Sequence, residues 1–535
     1  MRRLAGSALA GAAALLAVPA AASVAGVAGT AALPKLPVTG LTQVREAGNH
    51  LFLDTGDSVV VTSLAGKLVT TLPGGASGNM ATNGNTVWVV AGQFLHAFSA
   101  TTLNALPSYD GPVGNNLDNI AYQSGKIWVV YGGSVPTSIG YFNVGNPNLN
   151  AAVLSTNTPW AGIPRLAADP NPTTEGTLVA VDNEAGSSMI ATYNVSGAMP
   201  QLTPVMENDA VTGCTGLSDV AVTPGGARVI LACTGGATDL TYTAATLAPV
   251  AAADYASGAS PDAVAVAPDN TGIATGTNDA GAPALSVFKA GGGAAVTSVP
   301  LAADGMTVAP GGLAWSQDAV HLYAVLKGGA NYYLDVLQYP QYKVSSLDLT
   351  SPNFYWPAGA KVVLRGKLEL GGAPAPAGVT VKIFRQVAGT SAITTLTAHT
   401  VAGGTYTYGD VPPKYAHYYY TAYYAGNGTY APNWHSCLVF VNALHTTLRV
   451  TAPGSVSGGT TVQVTAHLGK TYNSRYVSIY AQPAGGAKKL VKKAKVNAAG
   501  VLTISYKVTN NTTFTAVFAG DAHYAPVTAK AIVKG

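Results

Sequence analysis

Four aspartates occupy comparable places in this 535-residue sequence. Asp118, Asp219 and Asp262 each stand one or two residues before a short apolar stretch, "IAYQSG" at 120, "VAVTPGG" at 220 and "VAVAPDN" at 264. Asp304 opens the related stretch "DGMTVAPGG". Carboxylates gathered into a ring hold a cation or a polyhydroxylated ligand. The bland alternative is that each Asp caps the turn into its strand through a local hydrogen bond. His50, His96 and His321 fall in different repeats, beside or within second strands. General-base or metal-assisted chemistry needs such groups to converge, and this spacing keeps them apart. No Gly-x-Ser-x-Gly lies at a strand-to-helix turn, and no phosphate loop or dinucleotide fingerprint is present. No catalytic residue, metal site or cofactor is assigned, and the chain reads as non-enzymatic.

The strongest charge feature is "KKLVKKAKV", residues 488–496, with Lys488, Lys489, Lys492, Lys493 and Lys495. Lysines on an edge strand block sheet-to-sheet aggregation. The same cluster attracts an anionic polymer or acidic glycan electrostatically. The stretch lacks interleaved aromatics for base stacking, so nucleic acid is not an expected partner. Cys214 and Cys233, 19 positions apart, flank a strand and are expected to pair in an oxidising compartment; the alternative is two small buried apolar residues. Cys437 has no evident partner and points into a core, and no Cys or His pair has zinc-ligand spacing. Tyrosines crowd positions 415–430, half of them directed inwards by strand alternation and the rest available as an aromatic strip.

The elements that must position these residues are strands. There are 62 Gly and 32 Pro, 10% charged residues, and abundant Thr, Val and Tyr, a mixture that favours short strands and many turns. The motifs "VREAGN" at 44, "MATNGN" at 80, "IAYQSG" at 120, "LAADPN" at 166, "VAVTPGG" at 220, "VAVAPDN" at 264 and "LAWSQD" at 313 recur at 36 to 54 residues. A second, fully apolar strand follows each, and Trp88 and Trp128 fall at matching places. Four-stranded propeller blades repeat at about 40–50 residues, and closing such a ring removes exposed sheet edges. The expected fold is all-β: a seven-bladed β-propeller over residues 33–342, followed by two further β domains at 343–443 and 444–535. The likeness of "DGMTVAPGG" to "DAVAVAPDN" leaves a six-bladed count open. Charge is divided along the chain. Residues 36–342 hold 7 Lys and Arg against 20 Asp and Glu, whereas residues 444–535 hold 11 against one, Asp521.

The C-terminal part repeats internally. "YTAYYAGNGTYAP" (420–432) matches "FTAVFAGDAHYAP" (514–526) at an offset of 94. These motifs resemble the immunoglobulin-like repeat domains of secreted actinobacterial proteins, in which this pattern marks the last hairpin. The resemblance implies two Ig-like β-sandwiches over residues 345–535. The blade motifs resemble secreted propellers of the lactonase and quinoprotein-like type, without the "YVTN" strand signature of that family. This second resemblance bears on fold alone.

Residues 1–32 read as a secretion signal: Arg2 and Arg3, the apolar stretch Leu4–Val18, and small residues permitting a cut after Ala22. No second run of about 18 apolar residues follows, so no transmembrane segment is expected in the mature chain. "LPVTG" at 36–40 spells the recognition pattern of wall-anchoring transpeptidases, but sits at the opposite end of the chain from a working signal. Its reading is structural: Leu36 to Val38 are expected to supply the outer strand of the seventh blade, where Pro37 is tolerable. The expectation for function is a secreted or wall-associated binding or scaffold protein. Its propeller holds a ligand or an unidentified protein partner, and its basic domain contacts an anionic cell-wall polymer or glycan. The alternatives are a propeller lactonase, lyase or glycan hydrolase with accessory domains, and a free secreted protein whose sandwiches are spacers.

Overall fold

In the computed structural model, residues 28–535 are described apart from loop segments at 34–39, 74–79, 112–115, 133–137, 171–175, 183–188, 278–283, 301–304 and 470–473, and shorter gaps. Every regular element among them is a β-strand. The chain divides into two compact units, Ser23–Val344 and Ser345–Gly535.

Among the described residues the first unit consists of seven antiparallel sheets, six formed by consecutive strands and the seventh by three consecutive strands joined by one from the N-terminal end. The first holds Gln43–Ala47, His50–Asp54, Ser58–Ser63 and Leu68–Pro73; the second starts at Met80–Thr82, the third at Leu117–Gln123 and the fourth at Arg165–Ala168. The fifth starts at Leu217–Val222 and shows three strands among the described residues; the sixth starts at Pro261–Val266. The first strand of each sheet lies beside the first strand of the next, and Thr307–Trp315 of the seventh lies beside Gln43–Ala47 of the first. Second strands read as continuous apolar runs because they are covered on both faces: Val87, Trp88, Val89 and Val90 are all buried, as are Ile127, Trp128, Val129 and Val130.

Two expectations meet the structure here. "TVAP" and "LAW" belong to one strand, Thr307–Trp315, whose register shifts between Val308 and Leu313. The second motif that left a six-bladed count open is therefore the start of a bulged strand. The strand completing the seventh sheet is Ala28–Ala32, antiparallel to Asn331–Gln338 with Ala28 opposite Val336 and Ala32 opposite Tyr333. This corrects the assignment of that place to Leu36–Val38, which lie outside the described residues. "AGTAA" offers an N–H at every position, whereas Pro34 and Pro37 remove two donors from the later stretch. The strand falls inside the stretch read as leader, and a cut after Ala22 leaves it in the chain.

The second unit contains two sheet pairs, each around its own core. The first encloses Leu364, Val381, Ile383, Tyr406, Tyr418 and Tyr420; the second encloses Val464, Ile479, Phe514, Ala516 and Val533. The repeated motif does one job in both. Tyr420, Ala422 and Tyr424 point inwards in one strand, as Phe514, Ala516 and Phe518 do in the other. Asn427 Oδ1 then accepts the amides of Thr429 and Tyr430 at 2.8 and 2.9 Å. Asp521 Oδ1 accepts those of His523 and Tyr524 at 2.8 and 2.9 Å. Gly426 and Gly520, at φ +75° and +81°, make the turn that an L side chain would strain. Asn and Asp are interchangeable there because the turn uses a single acceptor oxygen. Cys437 is half-buried and packs against the first of these cores, where burial pushes its thiol up to about 11.

Candidate functional site

The first strands of the seven sheets border a cavity of about 890 Å³. Its lining takes short runs of consecutive residues from these strands, such as 119–122, 165–168, 219–222 and 264–266. At the second position of the seven motifs stand Arg45, Ala81, Ala121, Ala167, Ala221, Ala265 and Ala314, and all seven border the cavity. Six repeats place a methyl group there and one places a guanidinium. Two residues earlier in each strand lie Gln43, Asn119, Arg165 and Asp219, which border it as well. A spacing of two on a strand returns side chains to one face.

Position along the strand decides the fate of the aspartates. Asp219 immediately precedes Val220 and reaches the cavity. Asp118 and Asp262 stand two before Ile120 and Val264, just outside the runs 119–122 and 264–266, and neither borders it. Both are buried instead. Burial raises the Asp118 pKa. Asp304 lies outside the described residues. The expected carboxylate ring is therefore not assembled by Asp118, Asp219 and Asp262. Among the described residues no group of three or more His, Cys, Asp or Glu is arranged to hold a metal. His50 and His96 interact instead with the Ala100 carbonyl at 3.0 Å and the Ser108 hydroxyl at 3.1 Å. His321, its pKa lowered by burial, stacks near Tyr323. None of the three borders the cavity.

Asp219 lies between two arginines from other sheets. Its Oδ1 accepts the Val220 amide at 2.9 Å and its Oδ2 the Val264 amide at 3.0 Å, tying the fifth sheet to the sixth. Arg165 Nη1 approaches Oδ1 at 3.7 Å and donates to the Ser218 carbonyl. Arg45 Nη1 donates to the Val44 carbonyl at 3.0 Å, and its charge also acts on Asp219 and on buried Asp54. Burial raises the Asp219 pKa against the pull of Arg165, two amides and Arg45. It likewise lowers that of Arg45, opposed by the same carboxylates. At the ends of these strands Glu46, Asp169, Asp269 and Asp318 also border the cavity. Asp318 Oδ1 accepts the Val320 amide within its own turn at 3.1 Å, whereas Asp169 Oδ2 accepts the Gly225 amide of the fifth sheet at 2.6 Å and Glu46 the Gln317 amide of the seventh at 3.4 Å. Arg45 and Arg165 were missed in the sequence reading. The signal was present, since Arg45 replaces the alanine of six other motifs.

Cys214 and Cys233 form a disulfide. A second candidate surface lies on the basic sandwich. Among the described residues the strand Lys489–Lys495 is an edge strand, paired with Tyr476–Pro483 alone. Lys488, Lys489, Lys492, Lys493 and Lys495 are all exposed. Among the described residues none has a carboxylate at ion-pair distance, and Asp521 is engaged by Arg475. The neighbouring strand brings aromatics beneath two of the lysines: Lys488 Nζ lies 4.6 Å from the Tyr480 ring centroid and Lys495 Nζ 5.7 Å from that of Tyr476. Sequence reading found no aromatics within the stretch because they come from across the sheet. Of the crowded tyrosines, Tyr418, Tyr420 and Tyr424 are buried, while Tyr415 and Tyr419 are exposed.

No protein-family model and no curated protein matches the chain. Among solved structures, a chain of the mitotic checkpoint complex is 13% identical, with a TM-score of 0.44, over 63% of this chain and 99% of that one. Hsv2 of Kluyveromyces lactis is 13% identical, with a TM-score of 0.37, over 61% and 97%. A tetra-tandem repeat from the extending region of a large adhesion protein is 12% identical, with a TM-score of 0.24, over 92% and 97%. All three scores lie below one half.

Proposed function

We propose that this chain is an exported, non-catalytic binding protein: a seven-bladed β-propeller followed by two Ig-like sandwiches, the last of which docks on an anionic polymer of the cell surface. Seven sheets whose first strands neighbour one another in sequence order support the propeller reading, as does the completion of the seventh by an N-terminal strand. The two-sheet cores and the shared turn motif support the sandwich reading. The observation that carries the function is the lysine strand. Five exposed ammonium groups without carboxylate partners retain their full attraction for an external polyanion. Tyr480 and Tyr476 lie beneath Lys488 and Lys495, and Tyr476 is exposed, so aromatic surface adjoins the ammonium groups. The acidic first unit is the part left to face other ligands. Among the described residues no helix is long and apolar enough to cross a membrane.

The test is sedimentation of the full-length chain with isolated teichoic-acid-bearing cell walls at low and high salt. Exposed charge attraction is screened beyond about 8 Å at physiological ionic strength, so binding at low salt and release at high salt are expected. Changing all five lysines to Gln should abolish the low-salt binding. Retention in high salt, or unaltered binding by the variant, would refute the reading.

A further inference from the structure

The geometry points to an anion site within the cavity of the first unit, where Arg45 and Arg165 hold the carboxylate of a small organic acid. This deepens the proposed reading of that unit as a ligand platform and does not depend on the lysine strand. Two guanidinium groups from the first and fourth sheets border one cavity. Asp219, near both, is already held by the Val220 and Val264 amides, and buried Asp54 also acts on Arg45. A guanidinium carries five N–H donors. The protein acceptors recorded for Arg45 and Arg165 are the Val44 and Ser218 carbonyls, and the Arg165–Asp219 approach of 3.7 Å is a charge contact longer than a hydrogen bond. A planar donor fork of this kind fits a carboxylate with two parallel bonds.

The surroundings specify the rest of the ligand. Around the cavity the other six repeats contribute alanines at the Arg45 position, so the wall there is apolar and leaves room beside the guanidinium. The volume, about 890 Å³, suits a drug-sized molecule. Carboxylates border the same cavity at the strand ends, in Glu46, Asp169, Asp269 and Asp318. They disfavour a polyanion and favour a molecule with one carboxylate and a neutral, hydroxyl-bearing or ammonium-bearing remainder. The ligand class is a small monocarboxylic acid.

The experiment is fluorine NMR on the full-length protein, with 4-fluorobenzoate as probe and 4-fluorobenzamide as its uncharged match. Expected is saturable broadening of the benzoate and none of the benzamide. Affinity should fall about tenfold or more in Arg45→Gln and in Arg165→Gln, each of which loses a charged fork. It should survive conversion of the five lysines of the basic strand to Gln. Asp219→Asn removes the competing negative charge and should tighten binding several-fold, a gain that misfolding cannot imitate. Arg45→Lys keeps the charge without the fork and should fall between wild type and Arg45→Gln; it decides the matter if the Gln variant does not fold. Three results overturn the proposal: no broadening by wild type, equal broadening of the amide, or binding lost in the lysine variant while Arg45→Gln keeps it. The last would place the anion on the outer strand and leave the wall-docking reading standing.

Discussion

Asp335 should destabilise the protein at neutral pH, and Asp335→Asn should reveal by how much. The residue lies in the strand Asn331–Gln338 with its side chain fully buried. Neither carboxylate oxygen makes a well-aligned hydrogen bond, and the adjacent Val336 amide offers only weak help. Burial therefore raises its pKa from an ordinary 3.8 to about 6. Below about pH 3 the group is protonated in folded and unfolded chains alike, and little penalty applies. As pH rises the unfolded chain ionises first and gains relative stability, until the folded group ionises near pH 6. The full penalty corresponds to about 3 kcal/mol, most of which develops between pH 4 and pH 7.5. Asn never ionises. Its buried amide carries a desolvation cost of its own, about 1–3 kcal/mol, but that cost is the same at both pH values. The informative quantity is the double difference: the change in stability between the two pH values for wild type, less that for the variant. Asp54, also raised to about 6 by burial, contributes equally to both proteins and cancels. Differential scanning calorimetry of the full chain at about pH 4 and pH 7.5 reads it. In a unit of roughly 320 residues the melting point should respond by about 1.5 °C per kcal/mol. The variant's first-unit transition should gain about 3–4 °C over wild type between the two pH values. Parallel behaviour of the two proteins would show that the Asp335 carboxyl titrates normally and that the burial argument is wrong.

Replacing Cys214 and Cys233 together by Ala releases a bridge that closes a 19-residue separation; the loss of loop constraint should destabilise the first unit by about 3 kcal/mol, and denaturation with and without reductant should converge in the variant. Asp410 takes both carboxylate contacts of Arg385, at 2.8 and 2.9 Å, and the Tyr420 hydroxyl at 2.7 Å inside the first sandwich. Asp410→Ala leaves a half-buried guanidinium unpaired and should cost about 3–5 kcal/mol, whereas Tyr420→Phe should cost about 1–2 kcal/mol; equal effects in urea melts would contradict this ranking. Gly276→Ala would set a Cβ 2.6 Å from Val308 Cγ1, where the sixth sheet meets the seventh, and overpacking there should cost about 1–3 kcal/mol by the same assay.

Strand character was legible locally, because apolar runs broken by Gly, Asn and Asp turns signal it within a few residues. The seven repeats and their order were legible for the same reason, and so was the 94-residue repeat of the second unit. Pairing of Cys214 with Cys233 could be anticipated, since both flank one strand. The candidate site was legible only in part. Of the four aspartates singled out, Asp219 reaches the cavity, and Asp118 and Asp262 stand one and two places outside the runs that border it. Sequence motifs align residues to within one or two places, which is the margin by which these residues enter or miss the cavity. Register shifts at Leu117–Ile120, Leu217–Asp219 and Pro261–Ala263 fall where these aspartates stand, so their orientation could not be read by counting.

Composition and pattern alone determined that the chain is all strand, that its first part is built from repeats, and that acid and base are segregated along it. These follow from local rules of strand propensity and charge counting. Tertiary structure decided which residues meet. It brings Ala28–Ala32 to the edge of Asn331–Gln338, about 300 residues away. It sets Arg45, Arg165 and Asp219 from three different sheets around one cavity, and slides Tyr476 and Tyr480 beneath lysines of the neighbouring strand. Such meetings depend on register and on how sheets pack, which are settled by the summed burial of whole faces rather than by any short stretch of chain.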